Sequence, residues 1–139
     1  MENIKKNNTN LTNFAIKARE KAYAPYSNYF VGAALLSDCG QIFTGCNIEN
    51  AAYSPSLCAE RSAFATAVSS GVTRFRAIAV AGWAKDATEG SATPCGVCRQ
   101  VMKEFCQNNF EVLVVNTDGS FKKYTLEELL PMGFGPENL

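Results

Sequence analysis

The period of the apolar positions changes several times along the chain, and each change marks an element. Leu11, Phe14, Ala15, Ala18 and Ala22 recur at helical spacing after Asn10, a residue suited to capping, and Pro25 ends the pattern. Residues 1–9 are polar and asparagine-rich without periodicity, which predicts a flexible N-terminal arm ahead of a single domain over 10–139. Apolar runs over 29–37 and 41–46 flank Asp38-Cys39-Gly40, the pattern of an antiparallel hairpin. A polar break over 45–53 leads into a helix beginning near Cys58, with Ala63, Phe64, Ala67 and Val68 on one side and Gly71 past its end. Residues 74–82 are nearly all apolar at their centre, Ala77-Ile78-Ala79-Val80, as in a strand covered on both faces. After a polar loop over 84–92, Thr93 as cap and Pro94 at the first helical position predict a third helix. A strand over 110–115, a turn at Asn116-Thr117-Asp118-Gly119 and a strand over 121–124 read as a second hairpin. Thr125 with Glu128 marks a capping box for a last helix ending before Pro131.

The order α-β-β-α-β-α-β-β-α implies an α/β fold, a three-layer α/β/α sandwich around a five-stranded mixed sheet. Composition narrows the picture. The length, 139 residues, suits one domain, and 47% hydrophobic with 19% charged residues describes a folded chain. Thirteen basic and thirteen acidic residues cancel, so no electrostatic footprint points to nucleic acid, and a small, weakly charged substrate fits better. The longest apolar run, 77–84, is far short of a membrane span. The polar start shows no apolar leader segment, so the expected location is the cytoplasm, where cysteines in this spacing serve as metal ligands more often than as disulfides. Histidine is absent, which leaves acid–base chemistry to carboxylates and zinc binding to sulfur.

Two stretches carry that chemistry: Cys58-Ala59-Glu60-Arg61 and Pro94-Cys95-Gly96-Val97-Cys98-Arg99. Together they offer three sulfur ligands for one metal and a carboxylate free to move protons. Structural zinc sites close all four positions with protein ligands, whereas catalytic sites keep three and leave the fourth open. The spacing matches the zinc nucleobase-deaminase signature, in which the glutamate is general acid and base and not a ligand. Cys95 and Cys98 share one face at a helix start, where unpaired N–H groups and the helix dipole favour thiolates. A redox dithiol shares C-x-x-C, and so does half of a zinc ribbon, although a ribbon wants a second such pair. Cys39, Cys46 and Cys106 read as small buried hydrophobes. Three thiolates against Zn²⁺ leave an excess negative charge; Arg61 and Arg99, each directly after a motif residue, are placed to hydrogen-bond the sulfurs, with surface ion pairs as the alternative.

From about Ala22 to the C-terminus the chain resembles the small, homotetrameric, three-cysteine class of cytidine deaminases. Besides the zinc motifs, the likeness rests on Tyr23-Ala24-Pro25-Tyr26-Ser27, Val31-Gly32-Ala33-Ala34, Gly45-Cys46-Asn47-Ile48-Glu49-Asn50-Ala51-Ala52-Tyr53, Leu129-Leu130-Pro131 and Phe134-Gly135-Pro136. The resemblance implies hydrolytic deamination of cytidine and deoxycytidine to uridine and deoxyuridine with release of ammonia, as in pyrimidine salvage. It implies one zinc per chain held by Cys58, Cys95 and Cys98, with Glu60 carrying protons to N3 and to the leaving amine. Asn47 and Glu49, which their position alone suits equally to a turn, take the ribose hydroxyls. Tyr29 packs on the pyrimidine, and Ala51, Tyr53 and Ala59 join the substrate site. Phe134 comes from a neighbouring subunit, so a homotetramer shares its active sites. The family usually has Phe where this chain has Tyr29 followed by Phe30, and a register shift of one would put Phe30 on the base. Two other readings are a deaminase of another aminopyrimidine compound and a non-catalytic zinc module that binds partners; the second leaves Glu60 and residues 47–50 without a job. The tight turn over 116–119 argues against polynucleotide deaminases, which resemble a form with a helical crossover there. The segment 131–139 has nothing obvious to pack on in its own chain.

Overall fold

Helical stripes and strand-forming runs alternate in the expected order. The computed structural model describes the backbone of residues 2–139 and the side chains of residues 7–139. Its elements are α1 (Glu2–Arg19), β1 (Tyr29–Ser37), β2 (Ile42–Cys46), α2 (Ala59–Ser69), β3 (Phe75–Ala84), α3 (Gly96–Phe105), β4 (Glu111–Val115), β5 (Phe121–Thr125) and α4 (Leu126–Leu129), followed by a 3₁₀ turn at Pro136–Asn138. The strands form one five-stranded mixed sheet in the order β2-β1-β3-β4-β5. Only β3 and β4 are parallel, joined through α3; the other neighbours are antiparallel.

Both faces of the sheet are covered. On one face, Leu11 and Ala15 of α1 pack with Ala34, Ala77, Ala79, Ala81, Trp83, Leu113 and Val115. On the other, Ala59, Ala63, Phe64 and Ala67 of α2, Met102 of α3 and Leu126 of α4 pack with Ala33, Leu35, Ile78, Val80, Val112 and Val114. An aromatic cluster fixes α2 and α3 to the sheet. Phe64 of α2 meets Phe75 of β3 edge-on at 5.1 Å between ring centroids and stacks on Phe105 of α3 at 5.9 Å. Each such pair adds about 1 kcal/mol beyond its buried area.

Three boundaries differ from the sequence expectation. The first helix begins at Glu2, ahead of Asn10, and ends at Arg19, so the polar stretch read as an arm continues the helix from residue 2. It has no helix-breaking Gly or Pro before Pro25. The third helix is capped by Cys95, not Thr93: the Cys95 sulfur accepts from the Cys98 amide at 3.5 Å, and Pro94 sits before the helix. The C-terminal segment also finds a seat in its own chain, on α3. Gln100 Nε2 donates to the Phe134 carbonyl at 2.9 Å, and Lys103 pairs with Glu137 at 2.6 Å.

Two adjacent positions let helices approach the sheet closely. Gly32 of β1 faces α1, where a Cβ would collide with the backbone of Ala15 and Arg19. Gly45 of β2, opposite Ala33, faces α2, where a Cβ would lie 2.5 Å from both the Ala59 carbonyl oxygen and the Ala63 amide nitrogen. The first turn of α2 therefore rests directly on the β2 backbone. Gly45→Ala is expected to destabilise the protein by roughly 1–3 kcal/mol, the cost of overpacking a filled interior. The urea midpoint reads this, and a variant as stable as the native protein would contradict the close approach.

Candidate metal centre and active site

Cys58 and Cys95 occupy equivalent places, each the last extended residue before a helix. Cys58 precedes α2 with φ −72° and ψ 154°, and Cys95 precedes α3 with φ −69° and ψ 168°. Their side chains thus lie at helix N-termini, where free N–H groups and the dipole favour negative sulfur. A short ladder sets the approach to Cys58. Ile48 and Leu57 exchange both backbone hydrogen bonds at 2.9 Å, and Tyr23 flanks Ile48 on its other side, with the Glu49 amide donating to the Tyr23 carbonyl at 2.8 Å. The loop between Ile48 and Leu57 is closed at its base, directly before the first sulfur.

The sulfurs of Cys58, Cys95 and Cys98 lie within 4.8 Å of one another, and they are the one such donor group among the described residues. Cys58 and Cys95 are 3.8 Å apart, and Cys98 is buried. An Arg61 terminal nitrogen donates to the Cys58 sulfur at 3.3 Å, as its position suggests. Arg99 does not reach the sulfurs. Its Nε donates to the Pro94 carbonyl at 2.7 Å and its Nη1 to the Leu129 carbonyl at 2.6 Å, so both ends of the guanidinium are taken up by backbone carbonyls. Among the remaining cysteines, Cys106 is buried as expected, but Cys46 is only partly so and Cys39 is exposed in the β1–β2 turn. There its thiol bonds Ser37 and Gln41, a polar role the sequence reading did not give it.

The thiols are unequal. The hydrogen bond from Cys98 lowers the Cys58 thiol to about 5 against the cost of burial, and Arg61 adds to the effect, so Cys58 is a thiolate at neutral pH. Cys98 is pushed the other way by the bond it gives Cys58, by burial and by the Glu60 charge. Glu60 itself is 4% exposed, with Oε2 3.6 Å from the Cys98 sulfur. Burial raises its carboxyl above the ordinary range, and the Cys58 charge adds to that rise. Three converging sulfurs, one already ionised and held by a guanidinium, fit zinc, which takes thiolates in a tetrahedral set; Glu60 stands beside that set and outside it.

A cavity of about 510 Å³ opens over this cluster. Tyr29, Asn47, Glu49, Tyr53, Ala59 and Glu60 line it together with Cys58 and Cys95. A larger groove of about 810 Å³ lies elsewhere, near Arg74, Arg76, Asp38, Glu104 and Glu111, with no cysteine in its wall. Tyr29, not Phe30, faces the cavity; its hydroxyl donates to the Gly82 carbonyl at 3.2 Å. Phe30 turns toward Arg19, whose guanidinium lies 5.8 Å from its ring and 4.3 Å from that of Trp83. Asn47 is anchored to β1, its oxygen accepting from the Val31 amide at 2.9 Å and its Nδ2 donating to the Tyr29 carbonyl at 2.8 Å. Glu49 Oε1 accepts from the amides of Tyr26 and Ser27. Partial burial raises the Glu49 carboxyl, but the Ser27 and Tyr26 bonds outweigh it and hold the group below its ordinary range. Ala51 and Phe134 are not in the cavity wall; Phe134 is 60% exposed. The sequence reading missed the Tyr26 and Ser27 amides, for which the Pro25 turn was the only signal, and the walls formed by Ser56, Ala92 and Thr93.

Comparison with known proteins gives a consistent picture. The family described as "Cytidine and deoxycytidylate deaminase zinc-binding region" matches residues 5–114. The chain is 52% identical over 123 residues to the cytidine deaminase of Sporosarcina psychrophila, covering 88% of each protein. It is 46% identical over 125 residues to that of Halalkalibacterium halodurans, covering 90% of this chain and 92% of that one. Among solved structures, the cytidine deaminase of Burkholderia pseudomallei superposes with a TM-score of 0.82 at 46% identity, covering 90% of this chain and 97% of that one.

The inequality of the thiols has a direct readout. In chelator-treated protein at about pH 6, Cys58 should be alkylated by iodoacetamide while buried Cys106, whose thiol burial pushes up, stays unlabelled. Labelling of Cys58 should fall as the pH drops through its value of about 5 and the thiolate is protonated, and added zinc should block it. Peptide mass mapping measures this, and Cys58 labelling no faster than that of a free thiol at the same pH would contradict the assigned electrostatics.

Proposed function

The chain belongs to the cytidine and deoxycytidylate deaminase family, and we propose on that premise a role for each residue of its site. The protein is an enzyme that hydrolytically deaminates cytidine, using one zinc per chain. The observation that carries the assignment of roles is the buried Glu60 carboxyl beside the three-sulfur cluster, at the floor of an open cavity.

Cys58, Cys95 and Cys98 hold the metal. Zinc bound there supplies a Lewis acid that makes water nucleophilic near neutral pH. Glu60 takes a proton from the attacking water and gives it to N3 of the base as the C4–O bond forms, then takes the second proton from the new C4 hydroxyl and passes it to the amine as the C4–N bond breaks. Cytidine and water thus become uridine and ammonia. A carboxyl raised by burial suits this work, since a stronger hold on the proton makes it a better base toward water. Arg61 offsets the excess charge of the sulfurs from its bond to Cys58.

The substrate contacts follow from the anchoring. Asn47 and Glu49 bind the ribose hydroxyls: Asn47 keeps one N–H and one lone pair beyond its bonds to β1, and Glu49 keeps Oε2. Tyr29 supports the pyrimidine with a ring fixed by its bond to Gly82, and Tyr53 and Ala59 complete the wall. Deoxycytidine is a second substrate of the same site. Ala51 joins the substrate site, and the working form is a homotetramer in which Phe134 contributes across subunits. Support comes from the exposure of Met132 and Phe134 on a tail whose backbone is held to α3, and from the exposure of Tyr26, Ile48 and Tyr53 on the loops before α2. The cellular setting is pyrimidine salvage in the cytoplasm; no described helix is long and apolar enough to cross a membrane.

Two experiments test these assignments. Glu60→Gln should keep zinc and fold but lose at least about 100-fold in ammonia release from cytidine, because an amide cannot carry the proton. Native rates would remove Glu60 from the mechanism. Deletion of residues 133–139 should weaken assembly and raise KM together, read by sedimentation and steady-state kinetics. A truncated monomer with native kinetics would exclude a shared site.

A further inference from the structure

One face of α3 grips the C-terminal segment at three places. Arg99 binds the Leu129 carbonyl at 2.6 Å, Gln100 the Phe134 carbonyl at 2.9 Å, and Lys103 the Glu137 carboxylate at 2.6 Å. The Arg99 contact differs from the others because the same guanidinium also holds the Pro94 carbonyl, at 2.7 Å. Pro94 is buried and immediately precedes Cys95. Leu129 closes α4, and its carbonyl is among those a helix end leaves without an intrahelical partner. A planar fork of donors can satisfy both acceptors at once, which a lysine ammonium on a single flexible stem does poorly.

We propose that Arg99 is a positioning residue that couples the order of the metal-ligating turn to the seating of the C-terminal segment; this rests on reading Cys58, Cys95 and Cys98 as the zinc centre. The coupling runs both ways. Whatever holds the Pro94–Cys95 turn in place also holds the carbonyl from which the tail departs, so loosening either end loosens the other. Replacing the guanidinium leaves two carbonyls without their donor, one of them at the buried entry to the zinc loop. The tail carries Phe134, so the order of one subunit's zinc loop bears on the side chain that its tail presents outward.

The test uses zinc-loaded native protein, Arg99→Lys, Arg99→Gln and Gln100→Ala, each checked for native circular dichroism. Zinc release into a chromophoric chelator should be roughly 10-fold faster in Arg99→Gln, as for loss of an outer partner of a metal site, and intermediate in Arg99→Lys. Gln100→Ala, which frees only the Phe134 carbonyl, should release zinc at the native rate. Hydrogen exchange of residues 130–139 in the native protein should quicken after zinc removal, and Arg99→Gln should abolish that difference. Folded Arg99 variants that release zinc at the native rate would overturn the inference, as would Gln100→Ala matching Arg99→Gln. If Arg99→Gln does not fold, the native protein alone decides, since tail exchange indifferent to zinc contradicts the coupling. Native protein that binds no zinc at all would instead overturn the metal-centre reading along with it.

Discussion

Two helices that begin at almost the same point in space are the constraint on which the rest of this structure depends. A helix start offers unpaired N–H groups and a positive dipole end, and here two such ends point at one cluster of sulfurs. Nothing local forces them together. The Phe64, Phe75 and Phe105 cluster holds α2, α3 and β3 in one packing unit, and Gly45 lets α2 come down onto β2 without a side chain between. The Ile48–Leu57 pairing then fixes the loop that enters α2. A metal centre of three residues thus draws on much of one face of the sheet.

That convergence explains the electrostatics. Three acidic groups so close cannot all ionise freely without a cation, and the sulfurs respond by dividing: Cys58 is pulled low by Cys98 and Arg61, while Cys98 is pushed high. A dication removes the conflict, and it does so without consuming Glu60. The carboxyl is buried where its charge is unfavoured, which raises it above its ordinary range beside the sulfurs. The carboxylate of Glu49 shows the opposite treatment. Two backbone amides hold it ionised at the cavity rim, suited to accepting hydroxyl hydrogen bonds rather than moving protons.

The sheet was legible in the sequence because its central strands are continuous apolar runs and its hairpins are marked by Gly40 and Gly119, both at positive φ. The metal ligands were legible because chemistry forces cysteine into a fixed spacing. What the sequence hid was the direction of individual side chains. Arg99 follows a ligand just as Arg61 follows Glu60, yet Arg61 bonds a sulfur and Arg99 bonds two carbonyls, because the two stand at different angles around their helices. The start of α1 was hidden for another reason. Its first turns show no apolar stripe, and Asn7, Asn8, Thr9 and Asn10 are weak helix formers, so neither periodicity nor propensity marks the start at Glu2. The cap of α3 was misplaced onto Thr93 because a sulfur acceptor lies outside the usual set of capping residues.

The central claim is that this arrangement directs water onto a pyrimidine carbon. Reacting cytidine with the zinc-loaded protein in ¹⁸O-labelled water and weighing the product by mass spectrometry tests it most directly. The account predicts uridine carrying a single ¹⁸O at C4, formed together with an equal amount of ammonia and abolished by chelation. Uridine without the label, or cytidine recovered unchanged by zinc-loaded protein, would contradict it.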